Sequence, residues 1–510
     1  MNPRRPSARF VLGVDVGQTA VKAVLHDERM SPVAVGRRAS PVDRPRERHA
    51  ERSQDALWAA AADAIGEAVH SSRIDPAQIA AVAITGHGDG LHLVDARGDA
   101  VGPAITAVDS RAWREAAEVT DDPERLRTVL ELSGQQPTPG GAGPLLLWMV
   151  RHEPAMLDRA RTMLFCKDVV RLRLTGLVAT DLSDATASFL DTRTASWSPD
   201  VLAAYGLTGL DRMLPELRLS ADPAGTVTRG AAGRTGLAEG TPVIIGLHDV
   251  QAASLGMGAL IPDRLALVAG SFSTNGVTTT RSDVDPRWQS RLSITPDLRI
   301  AMSTSPTASP SLEWLLALLG VSGDAARDAL FAEATALPPE EGVPLVLPYL
   351  YSSPVGPTAS ATLAGVRGWH SRAHVLRGML EGIALMHHWH TSALGEKFDW
   401  QQPVVLGGGL ARSPLYVRLV AGVLRSPVQV VRNEEVGAFG AAALAGVAAG
   451  LFESVTAVQD LVEKAPPVEP TAASADYWAG IIGSFDSLGA ALDPWWGRAD
   501  VADGTVRAGG

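Results

Sequence analysis

The sequence predicts an α/β protein made of two similar domains, and three observations carry that reading. Its 510 residues exceed what one ordinary core organises. A strand, a turn of small polar residues and a return strand open the chain over residues 10–25, and the same order comes back over residues 265–280. After each opening, helices alternate with strands, the order of a mixed sheet covered by helices.

In the first half, residues 10–16 form an apolar run of strand length, Asp15-Val16-Gly17-Gln18-Thr19 is a turn, and residues 21–25 run back. A third strand covers residues 33–37. A helix spans 53–69, with Ser53 as its cap and Leu57, Ala61, Ile65 and Val69 on one stripe. Residues 79–85 are a strand, Gly86 to Gly90 a turn, and residues 91–95 another strand. The Pro- and Gly-rich residues 135–144 are a loop. In the second half, strand 265–269, the turn Gly270-Ser271-Phe272-Ser273-Thr274 and strand 276–280 come first. Helix 374–393, strand 403–406, helix 414–424, strand 428–432 and helix 436–446 follow. The expected domains are 9–248 and 249–496, with a loose tail at 497–510.

Hydrophobic residues at 46% and charged residues at 20% describe a globular chain. A net charge of −11 repels nucleic acid and anionic membrane surfaces. The single cysteine, Cys166, excludes an intrachain disulfide framework and fits a reducing cytoplasm. Asp15 interrupts the apolar run near the start, so no signal peptide is read, and the Ala- and Gly-rich residues 441–452 are too few to span a bilayer. A cytoplasmic location is expected.

Four places carry chemistry. Asp15, Gly17 and Thr19 sit where a turn can present amides to an anion and a carboxylate can hold Mg²⁺ through water; an ordinary hairpin is the competing reading. The turn at 270–274 repeats this chance. Gly407 to Pro414 joins a strand to a helix, with Ser413 suited to the cap and Pro414 to the first helical position. Its glycines admit a flat ring or a phosphate. No P-loop and no dinucleotide fingerprint occurs. Asp249 ends a strand and begins a helix, which suits either a general base or a plain helix cap. His87, Asp89 and His92 do not share a face as metal ligands would, and read as polar contacts to a hydroxylated ligand. His387, His388 and His390 read as structural.

These segments together resemble the FGGY family of carbohydrate kinases, over roughly residues 11–452. Gly13 to Thr19 with Lys22 is similar to the family's first phosphate loop, and Asp109-Ser110-Arg111 to a second segment. Cys166-Lys167-Asp168 with Thr180-Asp181-Leu182-Ser183-Asp184-Ala185 is similar to a third. Gly246-Leu247-His248-Asp249, Gly365-Val366, Gly407 to Pro414 and Gly437 to Ala442 complete the match. The resemblance implies two RNase H-like (actin-like ATPase) domains with an interdomain cleft, ATP as phosphoryl donor, and Mg²⁺. It makes Asp249 the general base and Asp15 the group that organises the metal. It places Gly17, Gln18, Thr19, Lys22, Gly270, Ser271, Ser273, Gly408, Gly409 and Ser413 around the nucleotide. His87, Asp89, Asp109 and His248 fall to the sugar.

Pro144 ahead of Leu145-Leu146-Leu147-Trp148, and His87-Gly88-Asp89-Gly90, look closer to the L-xylulose kinase branch, which commonly carries Lys where this chain has Asp89. A carboxylate facing the sugar would repel a keto-gulonate, so a neutral ketopentose such as xylulose is expected. A polyol such as glycerol, erythritol or a pentitol is the alternative, and an actin-like ATPase without sugar kinase activity a more distant one. Expected partners are the small sugar and ATP, with neither nucleic acid nor membrane; a homodimer is left open.

Overall fold

A computed structural model of the chain describes residues 9–270, 272–351, 353–356, 358–470 and 475–496. It divides into two units. The first comprises Met1–Pro262, Thr278–Ala301 and Glu435–Val462; the second comprises Asp263–Val277, Met302–Glu434 and Glu463–Gly510.

In the first unit, β1 (Phe10–Val16) pairs antiparallel with β2 (Ala20–His26), which pairs antiparallel with β3 (Pro32–Ala39). Pro32 opens β3 at the sheet's edge, where a missing N–H costs no ladder bond. Helix α1 (Gln54–Ser72) starts at Ser53, whose side chain accepts from the Ala56 amide, and buries Leu57, Ala61, Ala64, Ile65 and Ala68. Strand β4 (Ile79–Gly86) lies parallel to β1 on its other side. Helical segments between 113 and 159 form an insertion with its own core around Leu145, Leu146, Phe165, Phe189 and Tyr205. Helix α2 (Cys166–Thr175) returns to the sheet, where Cys166 and Val170 join its core. The short strands Pro242–Ile244 and Leu247–His248 both run parallel to β4.

Two later helices complete this unit, α3 (Asp249–Gly256) and α4 (Val436–Ala448). The Ala and Gly content of α4 allows its backbone to touch the sheet. A Cβ on Gly13 of β1 would meet the Ala438 carbonyl oxygen at 1.8 Å. The expected division at 248/249 is therefore corrected. Both α3 and α4 pack with the first sheet, so Asp249 belongs to the first unit and residues 436–448 come back to it.

The second unit repeats the sheet. From one side, the strands of that sheet run Val428–Val430, Gln401–Gly407, Arg264–Ala269, Ser273–Thr279, Arg299–Ser305, Gln289–Leu292. The first unit runs Pro242–Ile244, β4, β1, β2, β3. In both, the opening hairpin stands beside strands parallel to its first member. Helices Arg372–Gly395 and Pro414–Leu424 cover the second sheet close to the expected bounds. The tail at 497–510 lies outside the described residues.

Candidate active site

Strand register builds the site. Val16 pairs with Gly86, and Gly86 with His248, so three parallel strands end in one row. Asp15 stands one residue before that row and Asp249 one after it. Ligands of such sheets gather at the carboxyl ends of the strands.

Asp249 begins α3, but His248 occupies the cap position, so the carboxylate is not spent on capping. Burial pushes its pKa up to about 7, the nearby Asp15 charge adding and Arg291 opposing. Its side chain keeps 38% of its accessible surface, so water reaches it and screens part of that shift. Burial likewise pushes Asp15 up to about 6, against the pull of Lys22. Helix α4 backs Asp15 closely, since a Cβ on Gly437 would lie 2.8 Å from its Oδ2.

Arg291, which no motif announced, ties the surroundings together. Its Nε donates to Gln135 Oε1 at 3.0 Å and its Nη2 to the Asp89 carboxylate at 3.1 and 3.3 Å. Its Nη1 stands 3.0 Å from His248 Nε2. His248 Nδ1 accepts the Val250 amide at 3.1 Å, which is the cap bond, and lies 3.1 Å from Asp249 Oδ1. Burial, then Arg291, hold His248 well below its ordinary pKa, which keeps the ring neutral.

Beneath the row lies a fully buried ion cluster. Lys167 Nζ contacts Asp168 at 2.7 Å and both Asp181 and Asp184 at 3.0 Å, and Arg171 joins Asp168. Burial raises Asp184 well above the usual carboxylate range. The cluster reaches the site through Ser183, which donates to Asp181 and accepts the His248 amide at 2.8 Å.

Other expected residues fall as follows. Asp109 is corrected: it is 2% exposed, and its oxygens accept from the Ala50 amide at 2.6 Å and from Arg111, which makes it a loop clamp. His87 is buried beside Arg52, and desolvation lowers it to about 3, so it is an uncharged polar group. Asp89 is paired with Arg291 at 3.1 Å and keeps part of its side chain exposed. The Gly17 amide bonds Ala20 within its hairpin at 3.1 Å, leaving Thr19 exposed at the tip. The Gln18 carbonyl accepts from Arg52, and Lys22 pairs with Glu435 at 2.5 Å.

In the second unit, Val268 pairs with Gly407, so the Gly270 turn and the Gly408-Gly409 turn stand at adjacent parallel strand ends. Gly408 has φ 92°, and a Cβ there would lie 2.6 Å from Ala269. Ser413 is committed as a cap, accepting from the Tyr416 amide at 3.3 Å. Ser273 is also corrected. It is fully buried with its hydroxyl toward Asn275 and His387, so it offers a phosphate no side chain. Ser271 lies outside the described residues.

Duplicated sheets, each ending in turns at its parallel strands, and paired acids at one of those ends define an actin-like phosphotransferase. The chain belongs to the FGGY family of carbohydrate kinases: the family's N-terminal domain matches residues 10–256 and its C-terminal domain residues 265–449. It is 29% identical to the L-xylulose/3-keto-L-gulonate kinase of Escherichia coli, over 88% of this chain and 90% of that one. An autoinducer-2 kinase of an Enterobacter species is 28% identical, over 89% of both chains. Among solved structures, xylulose kinase from Rhodospirillum rubrum superposes with a TM-score of 0.87 at 28% identity, covering 96% of this chain and all of that one. The protein is therefore a carbohydrate kinase that uses ATP. Among the described residues no helix is long and apolar enough to cross a membrane.

Proposed function

We propose that this kinase phosphorylates a hydroxyl of a neutral ketopentose such as xylulose, with Asp249 as general base. The observation that carries this reading is Asp249 itself: free of the cap, beside the neutral ring of His248, and pushed up to about 7, where a base accepts a proton at neutral pH. Xylulose is supported by the names of relatives aligned over nearly their whole length. Asp89 supplies an acceptor, and His87 a neutral polar group, for the sugar's hydroxyls.

The donor set fits Mg²⁺. Asp15 is a desolvated carboxylate beside a second acid, a setting that a divalent cation relieves. Among the described residues no cluster of three or more acidic, histidine or cysteine side chains cages a metal. One carboxylate with waters and substrate phosphates is how Mg²⁺ is usually held in such kinases. When bound, it would supply charge neutralisation for the phosphates. Asp249 takes the proton of the attacking hydroxyl, and the backbone turns at Gly270 and Gly408-Gly409 leave room for the nucleotide. The reaction belongs to the cytoplasm, where ATP is supplied.

Asp249→Asn tests this. Sugar-dependent ADP release is expected to fall by ~10²–10⁴-fold with the fold intact. Retention of most activity refutes the base assignment, and ADP release that needs no sugar refutes the kinase reading.

A further inference from the structure

We infer that Arg291, held beneath Asp89, sets the substrate class of this site: the Asp89–Arg291 pair admits neutral polyhydroxylated sugars, and removing the Asp89 charge opens the site to sugar acids. This deepens the kinase reading above and rests on it.

Arg291 lies on the strand Gln289–Leu292, and its side chain is 2% exposed. A buried guanidinium needs a counter-charge, and Asp89 supplies it through both carboxylate oxygens. Gln135 and His248 take its Nε and Nη1, so the group cannot turn away to solvent. Its remaining nitrogen, Nη2, is the one Asp89 covers. Asp89 itself is held in the left-handed backbone region at φ 57°, a conformation Asp and Asn tolerate better than other residues with a Cβ. Its side chain keeps 25% of its surface, so it has one side on Arg291 and another open to a ligand.

The chemistry then divides by charge. A neutral sugar can donate hydroxyl hydrogens to the Asp89 oxygens, whose charge Arg291 balances. A sugar carboxylate meets the oxygens of Asp89 first, in a site that also holds Asp249 and Asp15. The same carboxylate would accept from Nη2 of Arg291 if Asp89 did not occupy it. Discrimination therefore comes from a cation that is present but already engaged, and not from the lack of one.

The test compares kcat/KM, by coupled ADP release with Mg-ATP and the full chain, for a neutral ketopentose and a keto sugar acid with matching hydroxyls. Wild type is expected to favour the neutral sugar. Asp89→Asn, which keeps the shape and the left-handed backbone, is expected to shift the acid-to-neutral ratio toward the acid by ~10-fold or more, the effect of one charge contact reversed. Adding Arg291→Gln to that variant should cancel the gain, which a merely structural arginine would not do. The inference is overturned if Asp89→Asn keeps the wild-type ratio, if the double variant retains the gain, or if wild type already uses both sugars equally. Should Asp89→Asn fail to fold in thermal unfolding, Asp89→Gly, which suits the same backbone conformation, repeats the measurement. Wild type inactive with every sugar would sink the kinase reading itself, whereas an unchanged ratio in an active variant sinks only the role of Arg291.

Discussion

Substituting Gly437 by alanine separates catalysis from stability at this site. Gly437 lies in the first turn of α4, and an added Cβ would stand 2.8 Å from Asp15 Oδ2 and 3.1 Å from its Cγ. A carbon beside a carbonyl-type oxygen settles at about 3.3 Å or beyond, so the two groups must part by roughly half an ångström. The atoms in the way end a side chain, so the Asp15 carboxylate yields before the helix does. Misplacing a catalytic group by about 1 Å costs on the order of 10²-fold; half of that displacement predicts a loss of about 10-fold in kcat. Stability should hardly change. Alanine gains about 0.5–1 kcal/mol over glycine in a helix, which offsets an off-rotamer Asp15 at about 0.5–1.5 kcal/mol. Steady-state ADP release and urea unfolding measure the two quantities on one sample. A folded Gly437→Ala protein with wild-type kcat would refute the view that α4 fixes Asp15 for catalysis.

Lys167→Met keeps most of the volume but strands three buried carboxylates; the expected loss is about 3–5 kcal/mol in urea unfolding, and wild-type stability would show that the cluster is not ionised as described. On pH, Asp249 must be unprotonated to act, so kcat/KM for the sugar should fall as pH drops through about 7. Arg291→Gln should move that limb upward, because the lost cation favoured the ionised base; an unmoved limb means that the limb belongs to another group.

The parts legible in the sequence are those that local chemistry decides. Ser53 and Ser413 cap their helices because a hydroxyl there reaches an amide two or three residues on, whatever surrounds it. The Gly17 hairpin and the Gly408 turn follow from glycine's backbone freedom. Asp249 was visible as an acid at a strand-to-helix junction, but the choice between base and cap was not, because the cap position went to the preceding histidine. Arg291 was invisible for a different reason. Its partners Asp89 and Gln135 are 202 and 156 residues away, and nothing near Gln289–Leu292 marks an arginine that must be buried. Asp109 shows the converse error: a motif located it correctly, and only the packing reveals that its oxygens serve Ala50 and Arg111. Helix α4 combined both cases, since its small residues announced close packing while leaving the partner sheet unnamed.

Why the two acids come to one place follows from the middle strand. β4 lies between β1 and the strand Leu247–His248, and its last residue, Gly86, has no side chain. A Cβ there would press on the Lys167 amide at 3.2 Å and on Val16 at 3.3 Å, so a side chain at this row end would be crowded. Asp15 and Asp249 stand on either flank of that bare residue, near enough for the charge of Asp15 to rank second among the causes that raise Asp249. A cation opposes that rise. Arg291 is that cation, and it can act there only because Asp89, Gln135 and His248 hold it buried and facing the site. One guanidinium thus both opposes the burial that raises Asp249 and pairs with Asp89.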